Sequence, residues 1–241
     1  MNTEAQIREK IGFVFIYGAG LNRSIWEKVA ADLEHPCLLV DFPLRDGSRK
    51  PEQGLSLNDY VAYMKKQVEA WQVPKFIIVA HSLGGVPALQ LAEEMSERLA
   101  GFVAVGASIP RKGGSFLSAL PLPKRMLMAV LLRSLGTRPP DAAIRSGLCH
   151  DLSAGQGEEI VRNFIPESVR VYTDRVEADV PSVPKLYIKL QKDKEFNEAH
   201  QNKMIANFAP QHIASLDTGH LPMLSDPDGL RLALQDFAAK L

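Results

Sequence analysis

A chain of 241 residues, 46% of them hydrophobic, is long enough to bury a sizeable core as one domain with an insertion. Its 28 Lys+Arg offset 28 Asp+Glu, and that balance removes any electrostatic argument for nucleic acid or an anionic membrane surface as partner. Two cysteines, Cys37 and Cys149, are too few for a disulfide framework and fit a reducing, cytoplasmic setting. The polar, mixed-charge stretch from Met1 to Lys10 lacks the shape of a secretion signal. Met126 to Leu132, closed off by Arg125 and Arg133, falls far below the roughly 20 apolar residues of a membrane span.

Phe13 to Tyr17 predicts the first strand, which Gly18-Ala19-Gly20 ends in a turn that permits close backbone approach. Ile25, Trp26, Val29, Ala30 and Leu33 then share one helical face. A second strand runs from Cys37 to Val40 and closes at Asp41, and a Pro/Gly-rich loop follows from Pro43 to Gly54. Leu57, Val61, Met64, Val68 and Trp71 recur at helical spacing behind Ser56 as N-cap. The unbroken apolar run Phe76 to Ala80 is a buried strand, Val86 to Ala92 a buried helix, and Phe102 to Val105 a further strand.

Strands alternating with helices imply a parallel sheet covered on both faces. The alternation breaks between Pro110 and Ser182, where helices are expected near Lys124 to Leu135 and Glu158 to Phe164 and no strand is convincing. This segment reads as a helical cap over the carboxyl edge of the sheet, where open α/β folds bind ligands. Lys185 to Lys189 resumes the sheet, Asn197 to Asn207 is a helix, and Ile213 to Leu216 the last strand. Asp226-Pro227 starts a C-terminal helix with Leu230, Leu234 and Phe237 inward. The expected fold is α/β, with a mostly parallel sheet of about six strands, a core of residues 1–109 and 183–241, and a cap of 110–182.

The chemistry centres on Ala80-His81-Ser82-Leu83-Gly84-Gly85. A strand that turns this abruptly into a helix leaves no room for side chains two positions either side of the turning residue, hence Ala80 and Gly84. The turn pushes Ser82 out of the sheet at a helix N-terminus, the geometry of a nucleophile elbow. The plain alternative is a serine that caps a buried helix. A serine hydroxyl needs a base, and His220, in the loop after the last strand, would sit on the same edge of the sheet. The base needs a carboxylate: Asp193 follows the strand before, and Glu195 is a neighbour that residue type alone does not separate from it. Two backbone amides, of Leu83 and Ala19, are candidates for an oxyanion hole.

Ala80-His81-Ser82-Leu83-Gly84-Gly85, the Gly18-Ala19 turn and Gly219-His220-Leu221-Pro222-Met223-Leu224 resemble the α/β-hydrolase superfamily, most of all its small esterase branch of plant methylesterases and hydroxynitrile lyases. The resemblance spans nearly the whole chain and implies a Ser82, Asp193, His220 triad, in that chain order, that needs no cofactor or metal. Three positions depart from the branch's patterns. Tyr17 stands where the family has histidine, Gly18 where the lyases have threonine, and Leu221 where they have lysine. The resemblance therefore favours cleavage of a small-molecule ester over cyanohydrin cleavage, and assigns substrate fit to Tyr17, Gly18 and Leu221. Two rivals start from the same residues. Gly18-Ala19-Gly20 with Asp41 about 20 residues on outlines a dinucleotide fingerprint, with Arg23 where its third glycine belongs. A noncatalytic ligand receptor of the same fold is the other.

Overall fold

A computed structural model describes residues 11–45, 54–134 and 136–241. The segment Met1 to Lys10, most of the Pro43 to Gly54 loop and the Leu135 end of a predicted helix lie outside the described residues. Strands β1 (Ile11–Ile16), β2 (Cys37–Leu39), β3 (Lys75–His81), β4 (Leu99–Val105), β5 (Lys185–Leu190) and β6 (His212–Leu216) form one sheet in the order β2-β1-β3-β4-β5-β6. Every neighbouring pair is parallel. Phe13 to Ile16 and Phe76 to His81 are fully buried. Burial on both faces explains why these strands read as unbroken apolar runs without alternation.

Helix α1 (Glu27–Ala30), entered through a 3-10 turn at Arg23–Trp26, joins β1 to β2, and α2 (Leu57–Ala70) joins β2 to β3. The Ser56 hydroxyl accepts from the Asp59 amide at 3.1 Å and Asp59 returns the bond to the Ser56 amide, so α2 starts on a capping box. Helix α3 (Gly85–Glu94) follows the 3-10 turn Ser82–Gly84. Right-handed crossovers in opposite directions put α1 on one face and α2 with α3 on the other. Consistent with that, α2 packs on α3, and α1 on the C-terminal helix described below.

Among the described residues, five helices lie between β4 and β5: α4 (Phe116–Ala119), α5 (Leu122–Ser134), α6 (Asp141–Gly147), α7 (Ala154–Asn163) and α8 (Val169–Thr173). The sequence pattern locates only α5 and α7, because α4, α6 and α8 are too short to repeat a helical stripe. The segment also makes one isolated antiparallel bridge, Ile165 to Gly20, where no pairing was expected. Helices α9 (Glu198–Phe208), α10 (Pro222–Ser225) and α11 (Pro227–Ala238) complete the chain, with Asp226 capping α11 through the Gly229 amide.

The connections run outward in opposite directions from β1 and β3, which makes the gap beyond their carboxyl ends the topological switch point of the sheet, where open α/β folds bind ligands. Ile16 pairs with Ala80, so Tyr17-Gly18-Ala19 and His81-Ser82-Leu83 leave the sheet side by side.

Candidate active site

The strand-to-helix turn holds Ser82 at φ 52°, a left-handed conformation that few residues other than glycine adopt. The cost is carried by tight surroundings. A Cβ at Gly84 would lie 2.4 Å from the Tyr17 carbonyl oxygen, and one at Gly18 would lie 2.7 Å from the Ser82 Cβ. Both positions exclude any side chain, so the two turns close on each other. The Ser82 carbonyl accepts from the Ser108 amide at 2.9 Å, which fixes the turn from the β4 side.

The loops after β5 and β6 are zipped by amides of Gln191 and Lys192 donating to the carbonyls of Leu216 and Thr218. This brings Asp193 and His220 to the same edge as Ser82. His220 Nε2 lies 2.8 Å from the Ser82 hydroxyl and His220 Nδ1 lies 2.8 Å from Asp193 Oδ2. The other oxygen of Asp193 accepts the amides of Glu195 and Phe196 at 2.8 and 3.0 Å. Asp193 therefore has its lone pairs matched on both sides. Glu195 contributes its amide to Asp193 and is among the residues lining the pocket, and it is Asp193 that accepts the hydrogen bond of His220 Nδ1.

Burial would push the Asp193 carboxyl up, but His220 and the two amides outweigh it and hold Asp193 below the usual carboxylate range. Burial likewise opposes charge on His220, and the facing Asp193, with a smaller contribution from Glu195, outweighs it and holds His220 above the ordinary histidine range. The pair is thus a carboxylate that stays ionised beside an imidazole of increased basicity, and the free nitrogen of that imidazole faces a serine hydroxyl. This arrangement can withdraw a proton from Ser82 and return it to a leaving group.

A pocket of about 290 Å³ opens over Ser82 and His220. Ala19 and Leu83 line it, as do Phe116, Phe164, Tyr172 and Phe196, with Met128 and Leu132 from α5. Leu83 is the second residue of its 3-10 turn, where N–H groups have no intrahelical acceptor. Among the described residues, the Ala19 amide is matched to no protein acceptor. Tyr17, Gly18 and Leu221, expected to shape substrate fit, lie outside this lining. Tyr17 and Leu221 are fully buried, and the Tyr17 hydroxyl accepts the Phe42 amide at 2.7 Å and Nε of Arg45 at 3.1 Å. Gly18 supplies clearance for Ser82 and for the His81 ring.

Sequence reasoning missed three features. His81 is fully buried, bonds the His220 carbonyl at 2.8 Å through Nε2, and faces the His220 ring at 4.8 Å between centroids. Burial, reinforced by His220, pushes it down to about 3 and keeps it neutral. Its place before the elbow serine was its only signal. Glu167 is buried in the helical segment, where it accepts from Tyr60 and Arg45 and from the Gly20 amide. Asp151, also in that segment, accepts the Gly219 amide, one residue before His220. Nothing local in the sequence marks either carboxylate.

The dinucleotide outline is filled by protein. The Gly20 carbonyl accepts from Ile165, its amide faces Glu167, and Asp41 pairs with Arg23 at 3.3 Å. Among the described residues no group of three or more His, Cys, Asp and Glu could hold a metal ion, and no helix is long and apolar enough to cross a membrane.

A strained serine at the end of a central parallel strand, backed by a histidine and a carboxylate from the loops after later strands, defines the α/β-hydrolase class of fold and site. The chain belongs to the alpha/beta hydrolase family, which it matches over residues 13–231. It is 27% identical over 217 residues to a probable hydrolase from a Phoma species, covering 86% of this chain and 88% of that one. Among solved structures it resembles a methylesterase from Arabidopsis, with a TM-score of 0.77 and 19% identity over 96% of this chain and 100% of that one. An extracellular alpha/beta-hydrolase from a Paenibacillus species superposes with a TM-score of 0.83 and 16% identity, covering 94% and 98%.

Proposed function

We propose that this hydrolase cleaves a hydrophobic carboxylic ester through an acyl-enzyme. Ser82 Oγ attacks the ester carbonyl as His220 Nε2 takes its proton, and the Ala19 and Leu83 amides receive the oxyanion. Collapse of the tetrahedral intermediate expels the alkoxide, which His220 protonates. Water then attacks the acyl carbonyl with His220 again as base, and Ser82 leaves with its proton restored. Asp193 holds the tautomer of His220 throughout. The observation that carries this reading is the relay at 2.8 Å on either side of His220, opening on a mainly apolar pocket. Residues 110–182 act as its cap, since α5, α6 and the aromatics Phe116, Phe164 and Tyr172 supply much of the lining. A reducing, cytoplasmic setting is inferred from Cys37 and Cys149, neither of which is bridged.

The test is turnover of a p-nitrophenyl ester series. Ser82→Ala is expected to abolish it while the far-ultraviolet circular dichroism stays unchanged, and a variant of undiminished rate overturns the assignment. The same measurement separates the enzyme from a receptor of the same fold, which would bind the esters and release no nitrophenol.

A further inference from the structure

The α5 helix is apolar on its outer side as well as its inner one. Leu122, Met126 and Val130 stand one turn apart and are 67%, 65% and 61% exposed, with Leu127 at 61% beside them. Leu131, at 37% exposed, stands at the edge of this stripe and, with Met128 and Leu132, lines the pocket over Ser82. A run of large apolar side chains facing water on one element marks an interaction surface, since single exposed leucines are ordinary and clustered ones are not. From Leu122 to Ser134 the sequence carries Lys124, Arg125 and Arg133 and no acidic residue. The charge balance of the whole chain conceals this local excess.

We infer that the outer face of α5 docks on an anionic lipid surface, from which the pocket draws an ester dissolved in the lipid. A helix that sets an exposed apolar stripe beside an exposed cation, here Arg125, lies in the headgroup boundary, where both parts are satisfied at once. A second copy of the chain fits this face less well. Two-fold pairing would set the exposed Arg125 against its own duplicate, and an apolar stripe on one helix falls well short of the roughly 20–30 residues a side of a standard interface. The inner face adds an argument specific to lipid: the helix that would touch the bilayer is also a wall of the pocket, so an apolar substrate has a short path between them. Lys124 Nζ donates to the Glu195 carbonyl at 2.6 Å, which ties the docking helix to the loop that carries Asp193. The docking surface stands independently of the chemistry, whereas the delivery of substrate rests on the ester hydrolysis proposed above.

The experiment is flotation of the full chain with vesicles of phosphatidylcholine containing about one third phosphatidylserine, and with phosphatidylcholine alone. The chain is expected to float with the anionic vesicles and to be released by salt. Met126→Glu combined with Val130→Glu is expected to weaken flotation by about tenfold or more, with turnover of p-nitrophenyl acetate in water unchanged. Ser82→Ala is expected to float like the unaltered chain, so a failure of the ester chemistry leaves this result readable. Absence of flotation on anionic vesicles overturns the inference, as does flotation undiminished in the double variant. A dimer in light scattering that the same double variant dissolves overturns it in favour of a second copy.

Discussion

His220 meets two opposed demands. Burial in the loop beneath the pocket penalises its charged form, yet in the proposed reaction it must accept a proton as the base. Asp193 resolves the conflict by offering a fixed negative charge at 2.8 Å, and the balance leaves His220 more basic than a free histidine. The rate is therefore expected to rise with pH through an apparent pKa above ~6.5, since only neutral His220 can take the Ser82 proton. A profile of kcat/KM against pH reads this directly, and a midpoint at or below the ordinary histidine value would contradict it. Asp193→Asn removes the charge and mismatches the tautomer, and should lower kcat by about three to four orders of magnitude. Glu195→Gln leaves the Asp193–His220 contact intact and should change kcat by less than about tenfold, so steady-state rates of the two variants decide which carboxylate orients the base.

At the scale of elements, the helical segment between β4 and β5 grips two loops as well as covering the pocket. Glu167 faces the Gly20 amide beside Ala19, and Asp151 accepts the Gly219 amide beside His220. Asp151→Ala should leave a buried N–H without an acceptor, costing about 1–3 kcal/mol of stability, and should lower kcat more than it alters KM as the His220 loop loosens. Asp151→Asn keeps an acceptor oxygen and should recover most of both, measured by urea denaturation and steady-state kinetics. These grips also mark the limit of what the sequence discloses. The strands, the elbow at Ser82 and the order of Ser82, Asp193 and His220 were legible because apolar runs, steric exclusion at Gly84 and loop position are local signals. Glu167 in Pro166-Glu167-Ser168 and Asp151 in Cys149-His150-Asp151 look like surface residues, and only the packing of distant segments buries their partners. The surroundings of Tyr17 were hidden for the same reason: its position in the chain is beside the site, while its ring packs on Phe42 at 4.3 Å between centroids, outside the lining of the pocket.

For the whole molecule, the histidines set a stability optimum. His81 is held neutral with its pKa at about 3, so between ~6.5 and that value the unfolded chain binds a proton that the native chain refuses. Stability should fall as pH drops through this window, by up to about 1.4 kcal/mol per pH unit for that one site. His200, pushed down to about 4 by burial and by Lys124 and Lys203, acts in the same sense. His220 acts oppositely: its native pKa is raised, so its contribution is complete below ~6.5 and is lost as pH rises through the native value. Asp193, whose pKa is lowered, contributes above ~4 and loses that contribution only in stronger acid. Glu167, held up by burial, tilts the window the other way from ~4.3 upward, so the difference between two chains is a cleaner readout than one curve. His81→Gln retains a donor for the His220 carbonyl and removes the titration. Its stability relative to the unaltered chain should therefore rise steadily as pH falls from ~6.5 toward ~4, and stay level above ~7. Urea denaturation at half-unit steps of pH measures that difference, and a difference independent of pH would mean that His81 takes up its proton in the folded chain as readily as in the unfolded one.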